Sequence, residues 1–178
     1  MKITTIGKGN IGGGLARFWE RAGHTVTTLG SEGGDASDAD VILVAVPGAA
    51  LGDALAKVSG IEGKVAVDAT NAFGARNEQY ESLAHEVKAH TNAPVAKAFN
   101  ANFAALYDEI GNQRSRPSCL YVADDEARDV AEQLIRDTGY EPVDAGGLEN
   151  ARALEDFVPE LLSKIGRVFY RFAPAGEL

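Results

Sequence analysis

The sequence predicts an α/β fold: a doubly wound, mostly parallel sheet covered by helices, with a C-terminal helical extension. Three observations carry this. Short β-rich runs alternate with helical stretches along most of the chain. The run Val41-Ile42-Leu43-Val44-Ala45-Val46 is apolar throughout, as a strand covered on both faces must be. A glycine-rich turn, Gly7 to Gly12, stands between the first strand and the first helix.

Taken in order, a strand is expected over residues 2–6 and a helix over 11–22, where Leu15, Phe18, Trp19 and Ala22 recur at three- to four-residue spacing and Gly23 ends the run. A second strand follows at 25–29. Residues 30–40 are rich in Gly and Asp and lack apolar periodicity, so this crossover cannot hold a normal helix. A strand is expected at 41–46, a helix at 50–58, a strand at 64–69, a helix at 77–90 and a strand at 94–99. Later strands are expected at 118–123 and 141–144. Between them lies a charged helix at 126–137 with Val130, Leu134 and Ile135 inward. A last helix is expected from Leu148 to about Gly166, followed by an apolar-aromatic tail at 168–172, as strand or docked coil. Residues 1–178 read as a single domain, with 148–178 its C-terminal helix and tail.

Composition narrows the function classes. The 178 residues are 45% hydrophobic and 24% charged, ordinary globular values. Seventeen basic against 26 acidic side chains give a net charge of −9, which argues against nucleic-acid or anionic-membrane partners. Cys119 is the only cysteine, and no histidine has metal-ligand spacing, so no disulfide and no metal site is expected. The longest uncharged run, Val41 to Gly52, is too short to span a membrane and contains Pro47. The expectation is a cytoplasmic protein.

Gly7-Lys8-Gly9-Asn10-Ile11-Gly12 fits the dinucleotide fingerprint G-x-G-x-x-G in its required strand–turn–helix context, which makes the sheet Rossmann-type. Gly7 permits the tight turn, Gly9 lets a pyrophosphate approach the backbone, and Gly12 lets helix and strand pack closely. An NAD site usually carries an acid at the end of the second strand; here that strand ends Thr27-Thr28-Leu29-Gly30. The balance favours NADP(H), with Ser31 able to hydrogen-bond a 2′-phosphate and Lys8 or Arg17 to supply charge, while Glu32 opposes it.

The order Ile6-Gly7-Lys8-Gly9-Asn10-Ile11-Gly12, Ala22-Gly23-His24, Val44-Ala45-Val46-Pro47, Asp68-Ala69-Thr70-Asn71, Lys97-Ala98-Phe99-Asn100 and Asp144-Ala145-Gly146-Gly147 resembles the coenzyme-F420-dependent NADP oxidoreductases and their predicted dinucleotide-binding relatives. The resemblance spans nearly the whole chain. It implies a Rossmann domain, often a homodimer, and hydride transfer between NADPH and a deazaflavin (coenzyme F420) or flavin (FMN, FAD) ring. In place of that family's serine–arginine pair after the second strand, this chain has Ser31-Glu32.

The strand ends that should meet the ligand supply the remaining candidates. Val46 and Pro47 would wall the ribose next to the nicotinamide. Thr70, Asn71 and Asn100 could hydrogen-bond ribose or carboxamide. Ala145, Gly146 and Gly147 would leave room for an acceptor ring. Lys97 with Asn100 are the candidate catalytic residues under a second reading, a small carbonyl reductase, which needs a proton donor. A third reading is a redox sensor that binds NADPH without turnover.

Overall fold

The structure is a computed structural model that describes residues 1–73 and 76–176. Strands β1 (Lys2–Ile6), β2 (Thr25–Leu29), β3 (Gly34–Asp35), β4 (Val41–Val44), β5 (Val58–Ser59), β6 (Val65–Asp68), β7 (Val95–Ala98), β8 (Ser118–Ala123) and β9 (Glu141–Asp144) follow one another along the chain. Seven of them form the main sheet in the order β2-β1-β4-β6-β7-β8-β9. From β2 to β7 every pairing is parallel. β8 then runs antiparallel to β7, and β9 runs parallel to β8. The sheet is therefore mostly parallel, as the alternation predicts, with its last two strands reversed.

Both faces are covered, and single strands show it. In β4, Val41 and Leu43 pack into one apolar cluster and Ile42 and Val44 into the other, all at most 2% exposed. Helices α1 (Asn10–Arg21) and α4 (Asp125–Asp137) cover the first face through Leu15, Trp19, Leu134 and Ile135. Trp19 is fully buried; its indole N–H donates to the Leu134 carbonyl at 3.0 Å and its ring meets Phe99 edge-on. Helices α2 (Leu51–Leu55), α3 (Leu83–Thr91) and α5 (Ala151–Phe157) cover the second through Leu51, Leu55, Val87 and Leu154.

The crossover from β2 to β4 holds no helix, as its composition predicts. Instead β3 pairs with β5 in a small parallel ladder, and Ala36 and Ala39 bury themselves where a helix would pack. Helices α1 and α4 match expectation to within a residue at each end, whereas the second, third and last helices are shorter. The helix anticipated from residue 77 begins at Leu83, because Ser82 caps it by accepting the His85 N–H at 3.2 Å. The final helix is interrupted: α5 passes into a π-helical turn at Val158–Leu162 and then into α6 (Ser163–Ile165). Pro159 explains the interruption, since it has no N–H to give the Glu155 carbonyl and its ring needs the wider turn. The tail is docked coil: the Tyr170 carbonyl accepts the Ser118 N–H at 2.8 Å. No helix among the described residues is long and apolar enough to cross a membrane.

Candidate functional site

The chain leaves β1, turns at Gly7 and enters α1, while β2 and β4 lie on opposite sides of β1. That is the switch point at which an open parallel sheet forms a crevice. Gly7 has φ +108°, and a Cβ there would overlap the Ala45 carbonyl oxygen. A Cβ on Gly12 would overlap the Gly7 carbonyl oxygen, so both glycines are fixed by close approach of backbone. Gly9 differs. Its backbone is extended, and a Cβ would meet nothing within 4 Å, because it faces open space. No side chain caps α1 and no acid lies in its first turn, leaving that N-terminus open to an anion.

Gly9, Asn10 and Ile11 form one end of a cavity of about 480 Å³. Ala45, Val46 and Pro47 after β4, and Ala69, Thr70 and Asn71 after β6, form its floor. Residues 100–104 after β7, with Phe73, Val158 and Leu162, complete its lining. None of the described lining residues has an ionisable side chain.

A buried polar frame holds the floor. Asp68 Oδ1 accepts the Thr70 N–H at 2.8 Å and the Thr70 hydroxyl at 2.6 Å. Asp68 Oδ2 accepts from Lys97 Nζ at 2.6 Å, and the same ammonium donates to the Thr70 carbonyl at 2.9 Å and lies 3.0 Å from Glu155 Oε1. Glu155 also accepts the Leu83 N–H at 3.0 Å, capping α3, and pairs with Arg76 at 3.1 Å. Asn71 and Asn100 bond reciprocally: Asn71 Nδ2 donates to the Asn100 carbonyl at 2.7 Å, and Asn100 Nδ2 donates to Asn71 Oδ1 at 3.1 Å and to the Leu154 carbonyl at 3.0 Å. Asn100 Oδ1 is buried and has no partner. The residue before it, Phe99, has φ +64°, a strained conformation for an aromatic residue that costs about 1–3 kcal/mol. Packing of its buried ring against Trp19 holds that turn, which swings the chain from β7 across the cavity.

Eight of the sequence-predicted site residues thus meet at one cavity: Gly9, Asn10, Ile11, Val46, Pro47, Thr70, Asn71 and Asn100. Lys97 does not. Alternation along β7 sends Ala96 and Ala98 to the α1 face and Lys97 to the α5 face, where it is 0% exposed within its carboxylate frame. Ala145, Gly146 and Gly147 do not either. β9 runs opposite to β7, so its outgoing end lies at the other edge of the sheet; the Gly146 carbonyl accepts the Ala123 N–H, and Ala123 lies opposite Ala96. These three residues, expected beside the nicotinamide, are therefore not among the residues that line this cavity. Lys8 and Ser31 lie beyond the cavity at the end of β2. Lys8 Nζ is 3.5 Å from Glu32 Oε1, and the Ser31 carbonyl accepts from Lys57 at 3.3 Å. Lys8 and Arg17 also flank a second groove along the first turn of α1. Val158, Leu162, Phe73 and the segment Asn102–Ala104 are lining residues that the sequence reading missed. Pro159 was the one available signal, since it marks where the last helix must deform.

No family model matches the sequence, and no curated protein does. Solved structures match well. A candidate F420-dependent NADP reductase from Arthrobacter sp. FB24 has a TM-score of 0.77 at 22% identity, covering 98% of this chain and 99% of that one. A hypothetical protein from Sinorhizobium meliloti has a TM-score of 0.65 at 25% identity, covering 96% and 92%. A reductive aminase from Aspergillus terreus in complex with NADPH and ethyl levulinate has a TM-score of 0.66 at 18% identity; the match covers 92% of this chain and 60% of that enzyme. The likeness to these proteins, with the seven-stranded sheet and its glycine turn, shows that this chain has a Rossmann-type α/β fold.

Proposed function

We propose that this chain is an NADP(H)-linked oxidoreductase that exchanges hydride with a flat redox ring, a deazaflavin such as coenzyme F420 or a flavin. One observation carries the choice of acceptor: the cavity that starts at the uncapped end of α1 has no ionisable side chain in its described lining. Reduction of a carbonyl or imine needs a positioned proton donor, and the nearest candidate, Lys97, is committed to Asp68, Thr70 and Glu155. Exchange between two rings needs stacking and exclusion of water. The kinship in fold with NADP-linked reductases supports the dinucleotide.

When bound, NADP(H) supplies or accepts the hydride at its nicotinamide ring. The chain's own residues bind, orient and shield. The open N–H groups at Gly9, Asn10 and Ile11 attract the pyrophosphate, and Gly9 leaves it room. Val46 and Pro47 present an apolar edge to the nicotinamide half, and Thr70, Asn71 and Asn100 offer polar partners for ribose and carboxamide. Val158, Leu162 and Phe103 are apolar lining residues that would keep water from two rings held in the cavity.

The test is anaerobic oxidation of NADPH with a panel of F420, FMN, FAD, a ferric chelate and simple ketones. Turnover with a ring acceptor and none with ketones supports the proposal. Ketone reduction overturns the choice of acceptor. Tight NADPH binding with no oxidation by any member overturns the enzyme reading in favour of a redox sensor.

A further inference from the structure

The end of β2 holds a charge arrangement that neither the cavity nor the hydride step uses. Gly7 N–H donates to the Leu29 carbonyl at 2.9 Å, so the phosphate turn and the last residue of β2 are held together. Just beyond, the Lys8 ammonium and the Glu32 carboxylate converge over Gly30: a Cβ on Gly30 would lie 2.7 Å from Lys8 Nζ and 2.8 Å from Glu32 Oε1. In this fold the adenosine ribose meets the end of the second strand, with its 2′ position toward whatever group stands there. Here a cation from the first turn and an anion from the second stand there together.

The pair is suited to opening. Its N–O separation is 3.5 Å, and the two side chains are 64% and 67% exposed. An exposed pair of this length contributes little to stability, so replacing one partner with a ligand costs little. Hydrogen bonds from the backbone of Glu32, then the charge of Lys8, hold the Glu32 carboxyl below the usual carboxylate range, so it is an anion at neutral pH. An anion there accepts a hydrogen bond from a ribose 2′-hydroxyl and repels a 2′-phosphate; the ammonium does the reverse.

We propose that Lys8 and Glu32 form a two-way selector, in which Lys8 turns to the 2′-phosphate of NADPH and Glu32 to the 2′-hydroxyl of NADH, so that the chain accepts both dinucleotides. This rests on the dinucleotide reading above. It adds that discrimination is set by the balance of one ion pair, and that the two members of the pair pull it in opposite directions.

Titration calorimetry of the purified chain with NADPH and with NADH, at two ionic strengths, tests it. The wild-type dissociation constants are expected within about tenfold of each other, with NADPH the more salt-sensitive. Glu32→Gln is expected to tighten NADPH and weaken NADH, changing their ratio by at least about tenfold; Lys8→Met is expected to move the ratio the opposite way. Wild-type discrimination beyond about a hundredfold in either direction overturns the selector, as does a variant that moves both affinities together. Binding of neither dinucleotide overturns the dinucleotide reading itself, and the selector with it. Circular dichroism of both variants identifies any loss of fold as the cause of a lost signal.

Discussion

Lys97 Nζ lies 2.6 Å from Asp68 Oδ2 across paired positions of β7 and β6, and neither side chain reaches solvent. Both belong to the strand ends under the cavity, yet their effect on it is indirect. They fix the Thr70 backbone and tie it to Glu155 of α5.

Removing that cation leaves two buried carboxylates without their shared partner. Lys97→Met is expected to destabilise the fold by about 3–5 kcal/mol in urea unfolding. Turnover with a ring acceptor should fall only as the folded fraction falls. A variant of wild-type stability with a rate lowered by about 10² or more would instead make Lys97 a proton donor.

The glycines of the turn should separate into two kinds. Gly9→Val places its side chain in the open space beside the helix end; NADPH affinity should drop at least about tenfold while the urea midpoint stays near wild type. Gly12→Ala drives a methyl into the Gly7 carbonyl, so stability itself should fall, by about 1–3 kcal/mol.

The acceptor wall and the far edge of the sheet should also separate. Leu162→Lys introduces a hydrated charge into the apolar wall, and turnover with the best ring acceptor should fall by about tenfold or more, well beyond any change in NADPH affinity. Gly147→Ala should be silent in rate and within about 0.5 kcal/mol in stability, since its backbone is ordinary and the atoms nearest its Cβ would be the far end of the flexible Glu149 side chain. A rate loss from Gly147→Ala as large as that from Leu162→Lys would contradict the strand directions described above.

Burial pushes the Cys119 thiol up from its usual 9.0 to about 12. Between those values the unfolded chain loses a proton that the folded chain keeps, so this contribution to stability is complete below pH 9 and is lost as pH rises toward 12. Unfolding free energy should decline over that window, and Cys119→Ala should make the decline shallower. The thiol should also resist a disulfide reagent at pH 8 until the chain is denatured.

Strands β1, β2, β4, β6 and β7 are legible in the sequence because β-branched runs and a glycine turn in context state their own roles; the short β3–β5 ladder is not, and β5 begins at Val58, where the sequence predicts the end of a helix. Strand direction is not legible either. Nothing in Ser118–Ala123 marks it as antiparallel, since a buried strand shows the same apolar run either way, and so the sequence alone does not reveal that the outgoing end of β9 lies level with the incoming end of β7. The surroundings of Lys97 are hidden for a related reason. Its position near the outgoing end of a strand suggests chemistry, whereas the parity of β7 turns it inward toward a carboxylate 58 residues later, Glu155, that no local pattern connects to it. The start of α3 was available from Ser82, a capping residue, and was overlooked in favour of the longer helical stretch.

The π-turn at Val158–Leu162 makes this wall responsive to length as well as to residue type. A π-turn carries one residue more than the α-helical ladder needs, and that surplus sets the rotation of everything after it. Deleting one residue there, with Pro159 replaced so that the ladder can close, would rotate the following side chains by about 100° around the helix axis. Leu162 would leave the cavity and a neighbour would take its place. A single codon lost or gained near the end of the chain could therefore exchange the surface offered to the second ring, with the phosphate turn at the other end of the chain unaltered.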